Sequence, residues 1–168
     1  MTLVDSILTD FQDELKLTRT VLEAVPEDKF DFKPHEKSWS LAQLAGHVAE
    51  GPMFCASMLE PELDFAKGTG DWTPFVPKTK AELLSKLDEV GGQVAGMFEG
   101  KDDAFLKETW TMRAGPKVIW EAKRADAMRS MAIHHTIHHR GQLEVYLRLV
   151  DAPVPPIYGP TADVTDLF

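Results

Sequence analysis

Apolar residues return at steps of three and four along most of this chain, and that rhythm confines it to packed helices. The first such stretch runs from about Val4 to Val25, with Ile7, Phe11, Val21 and Leu22 on one side. Asp5, Asp10, Asp13 and Glu14 crowd its first half, favourable beside the positive end of a helix. Pro26 is expected to stop it. A second helix is predicted from Leu41 to about Leu59. Ser40 suits its N-cap and Gln43 completes a capping box, while Gly51-Pro52 predicts a kink. A third spans about Thr79 to Phe98, opened by Thr79 with Glu82 and closed by Gly100; Gly91-Gly92 inside it would permit close packing. A fourth runs from about Glu121 to Val150. Together they predict an all-α fold: one four-helix-bundle domain over residues 1–168, with long connecting loops and an extended Pro-rich C-terminal tail. Phe105 to Trp120, broken by Gly115-Pro116, fits a short hairpin or an irregular excursion equally. Trp39, Trp72, Trp110 and Trp120 are expected as core or loop covers.

Charge and cysteine content narrow the partners. Net charge is −9 with a pI near 5.1, and the basic residues are scattered, which argues against nucleic acid. No apolar run reaches the roughly 18 residues of a membrane span. The amino terminus lacks the basic start of a signal peptide. Cys55 is the only cysteine, so no internal disulfide forms, and a reducing cytoplasm is the expected location.

Four of the six histidines lie in His134-His135-Thr136-Ile137-His138-His139. His134/His138 and His135/His139 are each spaced i, i+4, which on a helix places two rings on one face where a cation can bridge them. With His135 at zero and about 100° per residue, Met128, Met131, His139, Gln142, Tyr146 and Leu149 fall within about 40° of it. That phasing favours His135/His139, although Ile133, Ile137 and Leu147 blur the opposite side. His47 sits in the second helix beside Gly46 and faces inward with Gly51 and Phe54, so it is the expected third ligand. His35, next to Pro34 in a loop, has no defined direction and reads as a surface residue or a satisfied core group rather than a ligand. Three neutral nitrogens would leave an open position, the pattern of a catalytic site. An exposed histidine tract is the competing reading.

Trp39-Ser40-Leu41-Ala42-Gln43-Leu44-Ala45-Gly46-His47 and His135-Thr136-Ile137-His138-His139-Arg140-Gly141-Gln142 resemble the DinB/YfiT-like superfamily of metalloenzymes. The tail from Pro155 to Pro160 is similar to that family's tails, so the resemblance spans nearly the whole chain. It implies a four-helix bundle holding a divalent metal on three histidines, here His47, His135 and His139. Members are often homodimers, some are linked to DNA-damage induction, and some relatives are transferases or isomerases that use thiols such as mycothiol or bacillithiol.

The leading expectation is therefore transfer of a low-molecular-weight thiol to an electrophilic small molecule, with Zn or Ni stabilising the thiolate. Cys55 is expected to be a small buried residue rather than a nucleophile. A metal-dependent hydrolase is the alternative, with Glu50, one turn from His47, as catalytic base. A third reading is a non-enzymatic stress-response or dimerisation module. His138 and Gln142 are expected behind the ligands, with Gln142 orienting one of them. Arg140 would anchor a substrate carboxylate or, more in keeping with its type, pair with an acid across the bundle. Glu144 is expected to face water.

Overall fold

The structure, a computed structural model, describes residues 1–68 and 73–165. Trp72 and Gly70 therefore lie outside the described residues. Helix α1 spans Leu3–Ala24 and starts at Thr2, which exchanges hydrogen bonds with Asp5 in a capping box. Helix α2 spans Leu41–Glu50, strand β1 Glu62–Asp64 and helix α3 Lys80–Met97. A short helix α4, Asp103–Lys107, leads into strands β2, Thr109–Ala114, and β3, Lys117–Lys123. Helix α5, Arg124–Met128, passes through a π-helical segment, Arg129–His134, into α6, His135–Leu149. None of the helices is long and apolar enough to cross a membrane, among the described residues.

Helices α1, α2, α3 and α6 form the bundle. Both α1 and α2 pack on α3 and on α6, so these two consecutive helices sit across the diagonal from each other. Gly91 lets α1 approach α3: a Cβ there would lie 2.9 Å from Leu15 Cδ1. The apolar interior falls into two clusters. One gathers Ile7, Phe11, Val94, Phe98 and Trp110; the other gathers Val21, Leu22, Leu41, Leu83, Leu143 and Leu147. Between them along α1 and α6 come the buried polar residues Thr18, Thr136 and Arg140.

The expected all-α fold needs correction, because a three-stranded sheet of order β1-β2-β3 caps the bundle. β2 and β3 form the hairpin that Gly115 allows with its φ of 56°, and β1 pairs with β2 in parallel. The hairpin keeps residues 121–123 from starting the last helix: Glu121, Ala122 and Lys123 pair with Thr111, Trp110 and Thr109. It also seats Trp110, which is fully buried and donates from Nε1 to Ser57 O at 3.1 Å. The second helix is shorter than expected. Pro52 brings no N–H and its ring clashes with a carbonyl one turn back, so α geometry stops at Glu50 and Gly51–Leu59 winds as a 3-10 helix.

The tail is not extended. Residues 152–165 contain no helix or strand, but they close into a loop. Asp163 accepts from Val154 N at 3.0 Å and pairs with Arg148 at 2.5 Å, while Thr161 Oγ1 donates to Val154 O at 2.9 Å. Tyr158 then ties the loop to α1 by donating to Glu14 at 2.7 Å.

Candidate metal centre

The centre begins at the N-cap of α2. Ser40 Oγ accepts from Gln43 N at 3.2 Å, and Gln43 Oε1 accepts from Ser40 N at 2.8 Å. Such a cap is worth about 1 kcal/mol and fixes the phase of the helix behind it. His47, two turns on, then faces α6. Its neighbour Gly46 lies under the loop that carries Phe75: a Cβ at Gly46 would sit 2.2 Å from Phe75 O. Only glycine lets that loop cross so closely.

From α6 come His135 and His139. Their Nε2 atoms lie 2.9 Å apart, and the His47 ring stands edge-on to both, with centroids 5.2 Å and 4.5 Å away. One ligand atom from each of the three lies within 4.8 Å of the others. Metal–nitrogen bonds of about 2.0–2.1 Å at tetrahedral angles would space such nitrogens about 3.3 Å apart. The triad brackets that spacing. Burial, reinforced by the neighbouring histidines, pushes the His47 imidazole down to about 4. Burial also lowers His135 and His139. All three are therefore neutral near pH 7, the form that binds a cation.

Gln142 orients one ligand. Its Oε1 accepts from His139 Nδ1 at 2.8 Å, which directs the His139 lone pair on Nε2 toward the other two rings. Its amide nitrogen donates to His138 Nε2 at 3.1 Å. Gln142→Leu is expected to weaken metal binding by about 10–100-fold without unfolding the exposed helix face, as read by chelator competition. Unchanged affinity would show that the hydrogen bond does not set the ring.

Trp39, expected as a cover, is a wall of the site. It remains 47% exposed, stacks on His139 with centroids 5.9 Å apart, and meets His47 edge-on at 4.9 Å. Tyr146 holds it by donating to Trp39 O at 3.2 Å. The sequence signal was its place immediately before the N-cap of the ligand-bearing helix.

The remaining candidates fall elsewhere. His35 and His134 are exposed, and His35 Nδ1 accepts from Lys37 N at 3.1 Å. His138 is exposed beside His139. Glu50 is half-buried; its Oε1 accepts from Phe75 N at 3.0 Å, and burial raises its carboxyl above the usual range. Arg140 turns into the bundle rather than toward the histidines. It pairs with Glu14 at 2.8 Å, donates to Thr18 Oγ1 at 3.1 Å and reaches Tyr158 Oη at 2.6 Å. Glu144 does not face water as expected: it is half-buried near Arg140, in a groove beneath the tail. Cys55 is fully buried and its thiol is pushed up to about 12, so it stays protonated.

The model of the DinB family matches residues 1–165. The chain belongs to the DinB family. Among curated proteins it is similar to the uncharacterized protein YrdA of Bacillus subtilis, 24% identical over 166 residues, covering 95% of this chain and 90% of YrdA. Its fold is shared with a DinB-like protein from Bacillus cereus, with a TM-score of 0.70 at 18% identity, over 92% of this chain and 97% of that one. It is shared also with YfiT from Bacillus subtilis, described as a probable metal-dependent hydrolase with an unusual four-helix bundle topology. There the TM-score is 0.63 at 16% identity, over 88% of this chain and 87% of YfiT. A mycothiol-dependent maleylpyruvate isomerase follows at a TM-score of 0.52 and 12% identity, over 92% of this DinB-family chain and 67% of the isomerase.

Proposed function

We propose that this DinB-family protein is a metal-dependent enzyme that transfers a low-molecular-weight thiol to an electrophilic small molecule. The observation that carries the reading is the convergence of three neutral imidazoles beside an open cleft, with no carboxylate in the ligand group among the described residues. Three protein ligands leave a position for a reactant. A divalent ion such as Zn or Ni held there would keep a thiol deprotonated near neutral pH. His47, His135 and His139 hold the centre, Gln142 sets the His139 ring, and Trp39 shields one flank from water. The thiol's proton leaves to solvent through the open side. Its sulfur bonds to the electrophilic carbon, and the displaced electron pair departs on the leaving group or into a conjugated carbonyl. No protein nucleophile is needed, in keeping with the protonated, buried Cys55. The fold shared with a mycothiol-dependent isomerase supports the reading.

The test is conjugation of cellular thiols to monobromobimane by zinc- or nickel-reconstituted protein. Metal-dependent turnover that disappears in His47→Ala is the expected result. The hydrolase reading has its support in the fold shared with YfiT, and it would take Glu50, one turn from His47 on α2, as its base. Cleavage of activated esters without thiol conjugation, lost in Glu50→Gln, would overturn the transferase reading in its favour.

A further inference from the structure

A cleft of about 460 Å³ opens beside the histidine centre. Lys37 and Trp39 line it from the connector before α2, Leu44 from α2, and His139, Val145 and Tyr146 from α6. The volume is in the range of small-molecule sites, about 300–1,000 Å³. Its lining reverses the charge of the chain. Acidic residues outnumber lysine and arginine 27 to 18 overall, yet no carboxylate is among the described residues that line the cleft. Lys37 is the cation of the lining, and its ammonium pairs with no carboxylate among the described residues.

Two large apolar side chains are left uncovered around this cation. Trp39 is 47% exposed and Val145 59% exposed. Trp39 already presents one ring contact to His139, so a flat group seated against the indole would lie next to the ligand histidine. Besides Lys37 the polar lining is neutral: the Ser38 and Tyr146 hydroxyls, the Gln142 amide and the His139 ring. The Tyr146 hydroxyl is spent on Trp39 O, and the Gln142 amide on His138 and His139. The Ser40 and Gln43 N–H groups at the start of α2 are occupied by the cap itself. One ammonium matches a singly charged carboxylate, whereas a phosphate dianion would call for further donors.

We propose that the cleft binds a planar, unsaturated or aromatic carboxylate, its flat body against Trp39 and Val145 and its carboxylate at Lys37. The carboxylate-binding step stands on the cleft alone; that the bound molecule is the electrophile rests on the thiol-transfer reading. Its conjugated carbon would then stand beside the histidine centre, where the sulfur arrives.

Calorimetric titration of trans-cinnamate and of its neutral isostere cinnamamide, into metal-free and zinc-loaded protein, tests this. Cinnamate is expected to bind about three- to fivefold tighter than cinnamamide in both forms, the modest preference an exposed cation gives. Lys37→Gln is expected to erase that preference and leave cinnamamide unchanged. Trp39→Leu is expected to weaken both probes about tenfold while retaining zinc. Equal binding of the two probes by the unaltered protein would overturn the proposal. So would a preference that survives Lys37→Gln or appears only with zinc, since the anion would then sit on the metal. Tighter binding of phenyl phosphate than of cinnamate would also overturn it. The outcomes separate from those above: a cinnamate preference without bimane conjugation removes the thiol-transfer reading and leaves the cleft, while conjugation with a silent Lys37→Gln removes the cleft assignment alone.

Discussion

Replacing His47 with alanine is expected to strip the protein of stoichiometric divalent metal, lowering affinity on the order of a thousandfold or more. Loss of a partner that merely orients a ligand costs about 10–100-fold. Loss of a ligand costs more, and here it leaves two imidazoles on a single helix. The substitution should be silent for the fold. His47 is half-buried, alanine is the best helix former, and the Ser40–Gln43 cap is untouched. Elemental analysis after dialysis of untagged protein reads the outcome, with thermal unfolding of the metal-free forms as control. His135→Ala and His139→Ala should behave alike, whereas His134→Ala and His35→Ala should keep the metal. Full metal retention by His47→Ala would show that the centre is not this triad.

Arg140→Ala should produce a large loss of stability, about 3–5 kcal/mol. The Arg140 side chain is 2% exposed and its partner Glu14 17%. Truncation removes the one cation paired with the Glu14 carboxylate among the described residues, and breaking such a buried pair is far costlier than replacing it whole. At about 2–4 °C per kcal/mol for a chain of this size, the midpoint should fall by roughly 6–20 °C. It also frees Tyr158 from one of its two partners and so loosens the tail from the bundle. Replacing both residues by apolar ones, Glu14→Met with Arg140→Met, should recover part of the loss. A midpoint unchanged in Arg140→Ala would mean that the pair is solvated and the layer between the two apolar clusters is wet.

The bundle was legible because its helices carry their own punctuation. Thr79 and Ser40 cap where a hydroxyl three residues ahead of a free N–H predicts. The ligands were legible from the i, i+4 pair, but the phasing behind the choice was partly off. The buried stripe of α6 is Thr136, Arg140, Leu143 and Leu147, about 110° from His135. Gln142 and Leu149, expected inside, are exposed. His135 and His139 thus stand on the shoulder of the helix, half in the bundle and half toward the cleft, which is why the centre is reachable. Strand β1 could not be read, since three residues carry no period. β3 was missed at its end because Glu121-Ala122-Lys123 is helix-compatible until Thr109–Thr111 offers it a partner. Trp39 acts through a neighbour eight positions away; its place just before the N-cap marks the position but not the ring it meets.

The π-helical winding from Arg129 to His134 ends immediately before the first ligand of the last helix. An added residue in a helix turns everything after it by about 100° relative to everything before. The stretch ahead of it, with Ala127 and Met128 in the apolar interior, is thereby geared separately from the stretch that aims His135 and His139. Such a joint lets descent with modification adjust where the ligands point, by one residue gained or lost, without repacking the foundation on which they stand.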